Sequence, residues 1–587
     1  MAHPLDKQRR ARLDAEIGAI RKRWSNRVRV ALVYPNHYRV GMANLGFQTV
    51  YRLLNVLAHV VCERVFLPDP DSGRSDIVSL ESGRKLTEFD CIAFSLSFEN
   101  DYSNVLTVLE KAALPLPSAQ RDTSLPLVMA GGVACFLNPE PLAPFIDCFL
   151  LGEAESLLPR FFETFDPGSD RHDMLRELAR NVKGTYVPAF FNATYHESGT
   201  LKEFSPIEDV PATVQRVYTA EADMTAAHSA VLTPDTSFDN VFLIEASRGC
   251  SRGCRFCAAG YLYRPPRTNP LPVLLDLVQH GANHTSKVGL VGTAISDLPD
   301  LTALCAAAKQ RDLQLGFSSL RADALSADLV GALKDGRVKT ATIAPETGSE
   351  RMRQVINKGL DEQDVLKATE ALVSGGIPNL KLYFMVGLPT ETGDDIKAIA
   401  ALVKKIKHHF LRASKPKGRM GEITVSLSCF IPKPFTPFQW SAMDEVKALK
   451  NKLRQVKTSL RKVPNVRVHA DVPRWAYVQA LLSRGDRRVG QLLAAAHQNK
   501  GNWAQTLKTA SVNADFFVCR NREPDELLPW DFIDHGIDKQ FLWRENQRAL
   551  QAKTSPPCPM DPRQCRVCGV CGENVTTTPS EYRPQLP

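Results

Sequence analysis

A chain of 587 residues is too long for one hydrophobic core and must hold several domains. Its 44% hydrophobic and 23% charged residues are those of a folded globular protein, which excludes global disorder, collagen and coiled coil. The formal charge of +9 is uneven, since residues 404–419 and 447–462 each carry seven Lys or Arg and no acid. Such runs are commonly solvated helix faces, and they keep RNA open as a partner.

Residues 1–26 read as a charged, Arg-rich helix with no apolar signal core, and no stretch reaches the ~18 uncharged apolar residues of a membrane span. A cytoplasmic protein without membrane contact is expected. Strand, loop and helix then alternate, with strands at 27–33, 91–97, 127–130 and from Cys148. This predicts a doubly wound, Rossmann-like α/β domain over 27–165, with ligand held at the loops after its strands. Residues 166–238 read as a connecting segment. Six further strands, at 241–245, 288–291, 315–318, 340–344, 380–386 and 423–428, predict a partial (β/α)6 barrel over 239–464. Residues 465–587 read as a helical region ending in a Cys-rich tail.

Fourteen cysteines are too few for a disulfide scaffold, yet seven fall in two clusters, which points to metal. Cys250-Ser-Arg-Gly-Cys254-Arg-Phe-Cys257 follows the first barrel strand directly. Its spacing turns three thiolates toward one centre and supplies no fourth, unlike structural zinc. Three cysteines on a four-iron cubane leave one iron open at the barrel mouth, a catalytic arrangement. Cys558, Cys565, Cys568 and Cys571 offer four thiolates in the tail and suit either zinc or an auxiliary iron-sulfur cluster. The remaining seven cysteines read as core residues. The dipeptide Gly-Lys is absent, so no Walker-type phosphate loop exists.

The Cys-x3-Cys-x2-Cys loop, with Phe256 before its last cysteine, resembles that of the radical S-adenosylmethionine (radical SAM) superfamily. The resemblance implies a four-iron four-sulfur cluster on Cys250, Cys254 and Cys257, S-adenosylmethionine on its open iron, and cleavage to a 5′-deoxyadenosyl radical. It also implies a reductant such as flavodoxin or ferredoxin. At later strand ends it implies cofactor contacts by Gly292 and Thr293, by Ser318 and Arg321, by Glu346, and by Met385 and Gly387. Gly387-Leu-Pro-Thr-Glu-Thr and Pro432-Lys-Pro-Phe-Thr-Pro-Phe resemble the branch that includes the methylthiotransferases of transfer RNA and many cobalamin-dependent members, and Lys433 is placed to meet substrate or phosphate. Within that branch, residues 27–165 resemble a cobalamin-binding domain through Gly41-Met-Ala-Asn-Leu-Gly46, Gly131-Gly132 and Gly152-Glu-Ala-Glu. Small residues such as Gly41, Gly131 and Gly132 would let a flat corrin approach the backbone. The axial-histidine motif of many such domains is missing, for Asp170-Arg-His172 lies past the last strand, and His37 is the nearest other candidate. The implied activity is cobalamin-dependent methylation or a related modification of an unreactive carbon, with RNA favoured as substrate. A small molecule or peptide substrate, or a non-catalytic RNA- or ribosome-associated role, are the alternatives.

Overall fold

The first apolar run becomes β1 (Val28–His37), whose middle six residues are buried, as a central parallel strand requires. It is flanked by β2 (Val60–Leu67) and β3 (Cys91–Ser95), and the sheet continues through β4 (Leu127–Gly131), β5 (Cys148–Leu150) and β6 (Thr185–Tyr186). The order is β2-β1-β3-β4-β5-β6, parallel throughout except for β6 against β5. The structure, a computed structural model, describes residues 4–69, 76–219, 225–293, 295–317, 320–418, 420–559 and 565–571.

Two sequence expectations change here. Strand β2 was absent from the reading because Glu63 and Arg64 interrupt its apolar run. Arg64 is fully buried, paired at 2.6 Å with both Glu16 and Glu81. The sheet also passes residue 165, since β6 comes from the stretch read as a connecting segment. Helix Arg171–Asn181, from the same stretch, packs on helix Ala154–Thr164. At the N-terminus the helix covers only Pro4–Asp14. It cannot continue through Gly18, which sits at φ +95° with any Cβ placed 2.3 Å from the Ala230 carbonyl oxygen.

The second unit begins with the parallel strands β7 (Phe242–Glu245), β8 (Lys287–Val291) and β9 (Gln314–Phe317). A second parallel sheet follows from β10 (Thr340–Glu346), β11 (Asn379–Val386), β12 (Ile423–Cys429) and β13 (Val466–Ala470). A single parallel bridge, Leu320 to Ile343, joins the two into one open barrel. All six expected strands are present, and β13 adds a seventh beyond the boundary at 464. Val466-Arg-Val-His-Ala is an edge strand that alternates half-buried and exposed residues, so no apolar run announces it.

The C-terminal region bridges both units. Asn138 Nδ2 donates to the carbonyls of Ser483 and Gly485 at 3.1 and 2.7 Å, and Arg487 pairs with Glu140 at 2.9 Å. Ile533–Asp534 pairs with Val214–Gln215, and Trp530 is wholly buried. Among the described residues no helix is long and apolar enough to cross a membrane.

Candidate active site

Strand β7 delivers the chain to the short pair Ser247–Arg248 and Arg267–Thr268. Gly249 then turns at φ +81°, where a Cβ would lie 2.4 Å from the Tyr263 carbonyl oxygen. Cys250, Cys254 and Cys257 follow as half-buried free thiols. Burial, and then the neighbouring Cys254, push the Cys257 thiol up to about 11. Burial likewise raises Cys250. Iron must displace these protons, so cluster loading is favoured as pH rises. Among the described residues no three His, Cys, Asp or Glu groups converge at single-ion spacing. A cubane takes each cysteine on a different iron, so its ligands stand farther apart than those of one ion.

Several of the expected contacts gather around Cys254. Arg321 is paired with Asp323 at 2.8 Å, and Glu346, at φ +65°, accepts from Lys358 Nζ at 3.0 Å. Both cations feel the Cys254 charge. Arg252, inside the loop, reaches Asp297 at 3.0 Å. Phe256 and Met385 share a small apolar cluster with Met352, Leu388 and Phe430. Thr293 Oγ1 donates to the Gly249 carbonyl, tying the end of β8 to the cysteine loop. Gly292 leaves room for Ser247, whose Oγ would stand 2.5 Å from an added Cβ.

A cavity of about 560 Å³ opens between the two units. One wall is built from the strand ends of the first sheet, including Ala93, Gly131, Gly132 and Leu150; the other includes Arg248, Gly249, Gly292 and Thr293. Gly132 sits at φ +108°, where a Cβ would lie 2.4 Å from the Leu96 carbonyl oxygen. Among the described residues no histidine lines this cavity.

Buried charges lock the walls together. Arg248 contacts Glu153 at 2.8 Å, Glu155 at 2.7 Å and Glu245 at 2.8 Å, while Arg267 holds Glu153 at 2.6 Å. Burial works to raise the Glu153 carboxyl, but Arg248 and then Arg267 outweigh it and hold it well below the carboxylate range. The sequence reading quoted Gly152-Glu-Ala-Glu only as a family feature and missed Arg248 altogether. The signal available was two carboxylates after a strand and an arginine beside the cysteine loop.

Other expected residues lie elsewhere. Gly41 does not line the cavity; it packs on Phe66, whose ring would stand 2.5 Å from a Cβ, and Gly46 lines the wall instead. The Gly387 amide donates to Glu391 at 2.8 Å, so this glycine serves a turn at φ +86°. His37 is outside the cavity wall. Asp170 caps helix Arg171–Asn181 by accepting the His172 amide at 2.9 Å, and His172 is exposed. Lys433 is paired with Glu99, which also accepts from Gln479 at 2.9 Å. Ser318 lies outside the described residues.

The tail cysteines reach the same region. The Cys558 amide donates to the Ser251 carbonyl at 2.7 Å, beside Cys250. Cys568 is buried, and its carbonyl accepts from the Asp538 amide at 2.9 Å. Arg255, between the second and third loop cysteines, is fully buried. It donates to Glu545 at 3.0 Å, to the Lys553 carbonyl at 2.7 Å and to Ser555 Oγ at 3.2 Å.

Residues 244–403 match the Radical SAM superfamily, and residues 46–188 match Radical SAM proteins, N-terminal. The uncharacterized protein MJ0966 of Methanocaldococcus jannaschii is 31% identical over 478 residues, covering 79% of this chain and 90% of that protein. A tRNA-2-methylthio-N(6)-dimethylallyladenosine synthase of Pseudothermotoga lettingae is 25% identical over 194 residues, covering 31% of this chain and 44% of the synthase. The radical S-adenosylmethionine methyltransferase TsrM from Kitasatospora setae, solved with cobalamin and a [4Fe-4S] cluster, shares the fold. Its TM-score is 0.53 at 11% identity, over 82% of this chain and all of that one. The chain therefore belongs to the radical SAM superfamily and is a relative of the Methanocaldococcus jannaschii protein within it.

Proposed function

We propose that this radical SAM enzyme is a cobalamin-dependent transferase that methylates an unreactive carbon, with the first domain holding the corrin and the barrel holding S-adenosylmethionine. The observation that carries the reading is a cavity lined by residues at both sets of strand ends. Gly131, Gly132 and Ala93 give a flat ligand room against one wall, and Arg248 and Gly249, where the chain enters the cysteine loop, stand on the other, the three cysteines themselves lying outside the lining. When bound, the cluster and sulfonium supply a 5′-deoxyadenosyl radical and the corrin supplies a methyl donor. The protein's own part is placement. Arg248, fixed by Glu153, Glu155 and Glu245, orients the start of the cysteine loop, and Thr293 holds Gly249. Leu54, Leu157 and Phe162 keep water from the first wall. The residues that would hold the corrin are those of the first wall, and none of the described ones is a histidine. A flavodoxin- or ferredoxin-class donor would supply electrons.

The test is anaerobic. Reconstituted, reduced protein given S-adenosylmethionine should form 5′-deoxyadenosine, and Cys254→Ala should form none. Equal amounts from both would overturn the reading. Hydroxocobalamin titrated into the same protein should bind and copurify through gel filtration.

RNA as the acceptor is supported by the outer helices Gly393–Ser414 and Val446–Leu460. Lys405, Arg412 and Lys452 are paired with acids, but Lys447, Lys450, Arg454 and Lys457 are exposed on one helix face and would meet phosphates. Binding to a transfer-RNA pool should then weaken steeply between low and high salt, and reversing those four charges should flatten the salt slope. An affinity indifferent to salt would favour a small-molecule or peptide acceptor.

A further inference from the structure

We propose that Cys558, Cys565, Cys568 and Cys571 bind a second iron-sulfur cubane, closed by four thiolates and seated against the back of the first cysteine loop. The tail is built into the fold. Cys568 and Val570 are buried, Asp538 donates its amide to the Cys568 carbonyl at 2.9 Å, and Gly569 turns at φ +91° against the Gly536 carbonyl. Cys571 feels the charge of Cys568, Cys565 and Cys558, and Cys558 that of Cys568 and Cys565, although Cys558 stands seven positions before Cys565. Arg264 faces Cys558 and Cys568 from a fixed position, with its guanidinium 4.6 Å from the Tyr261 ring and its Nε on the Gly260 carbonyl at 2.8 Å. A buried cation offsets the charge of a thiolate cluster, and donors to its sulfurs tune its potential.

Position and spacing together favour iron-sulfur over zinc. A structural zinc site draws on two separate close pairs. Here both Cys-x2-Cys pairs share Cys568, and the fourth ligand, Cys558, stands apart from the run, as in cubanes bound by a Cys-x2-Cys-x2-Cys run with one further cysteine. The tail is also one hydrogen-bonded unit with the first loop. Cys558 is tied to Ser251, and Arg255 clamps Glu545, Lys553 and Ser555. Ser555 donates its amide to Asn357, which donates in turn to the Gly253 carbonyl at 3.1 Å. With four protein ligands the second cluster has no open iron, so it takes no sulfonium ligand.

The full-length chain, reconstituted anaerobically with iron and sulfide, should hold about eight irons, twice the four of one cubane. The double variant Cys565→Ser and Cys571→Ser should retain half, and so should the triple variant Cys250→Ala, Cys254→Ala and Cys257→Ala. S-adenosylmethionine should change the electron paramagnetic resonance of the reduced tail variant and leave that of the loop variant unchanged. About four irons in the wild type with none in the loop variant would overturn the proposal, as would one zinc per chain retained in the loop variant. If the tail variant fails to fold, the loop variant decides alone, by the same two outcomes. Failure of the first-cluster reading looks different, with iron lost from the tail variant and kept by the loop variant.

Discussion

Gly131 and Gly132 are neighbours that lack a side chain for different reasons. Gly132 is dictated by the backbone, because alanine at φ +108° would press its Cβ to 2.4 Å from the Leu96 carbonyl oxygen. Gly132→Ala should therefore lower stability by about 1–3 kcal/mol, seen as a reduced thermal midpoint, before any cofactor is considered. Gly131 is under no such constraint. A methyl there meets only the Leu150 carbonyl at 3.5 Å and the Leu150 Cβ at 3.9 Å, ordinary contacts at the cavity wall. Gly131→Ala should fold and load iron normally, yet weaken hydroxocobalamin binding about tenfold, or about 1.4 kcal/mol. Unchanged corrin affinity in that variant, measured by spectroscopic titration, would separate the cavity from corrin binding.

At the scale of elements, legibility followed burial. Strands β7 and β8, like β1, β3, β4 and β5, were readable as short buried apolar runs bounded by turns, and β10, β11 and β12 as strands with apolar residues at alternate positions. Strand β2 was hidden by Glu63 and Arg64, a buried charge pattern that only tertiary partners at Glu16, Trp24 and Glu81 explain. Strand β13 was hidden by its edge position. The three-cysteine loop was plain because its ligands lie within eight residues, so local spacing carries the chemistry. The residues that fix this loop were not plain. Arg248 meets Glu153 across 95 positions of sequence, and Arg255 meets Glu545 across 290, pairings that no periodicity encodes. The basic runs show the converse: conspicuous in sequence, they fall mostly on helices Gly393–Ser414 and Val446–Leu460, and none of their described residues lines the cavity.

For the whole molecule, the same buried network sets how the two units respond to acid. Glu153 belongs to the first domain, whereas Arg248, Arg267 and Glu245 belong to the barrel. The folded state holds the Glu153 carboxyl below its unfolded value, so its stabilising contribution is complete above the ordinary carboxylate range. It is lost as pH falls from that range through the lowered folded value. The contact between the domains should therefore loosen in acid, seen as faster limited proteolysis. Glu153→Gln removes the charge at every pH and leaves two buried guanidinium groups short of a partner, at a cost of about 3–5 kcal/mol near neutrality. Its thermal midpoint should fall well below that of the wild type at pH 7, and the gap should narrow toward pH 3. Because Arg248 stands two residues before Cys250, the variant should also keep its iron while forming less 5′-deoxyadenosine. A variant with wild-type acid sensitivity and undiminished cleavage would show that the network is dispensable both for joining the domains and for orienting the loop.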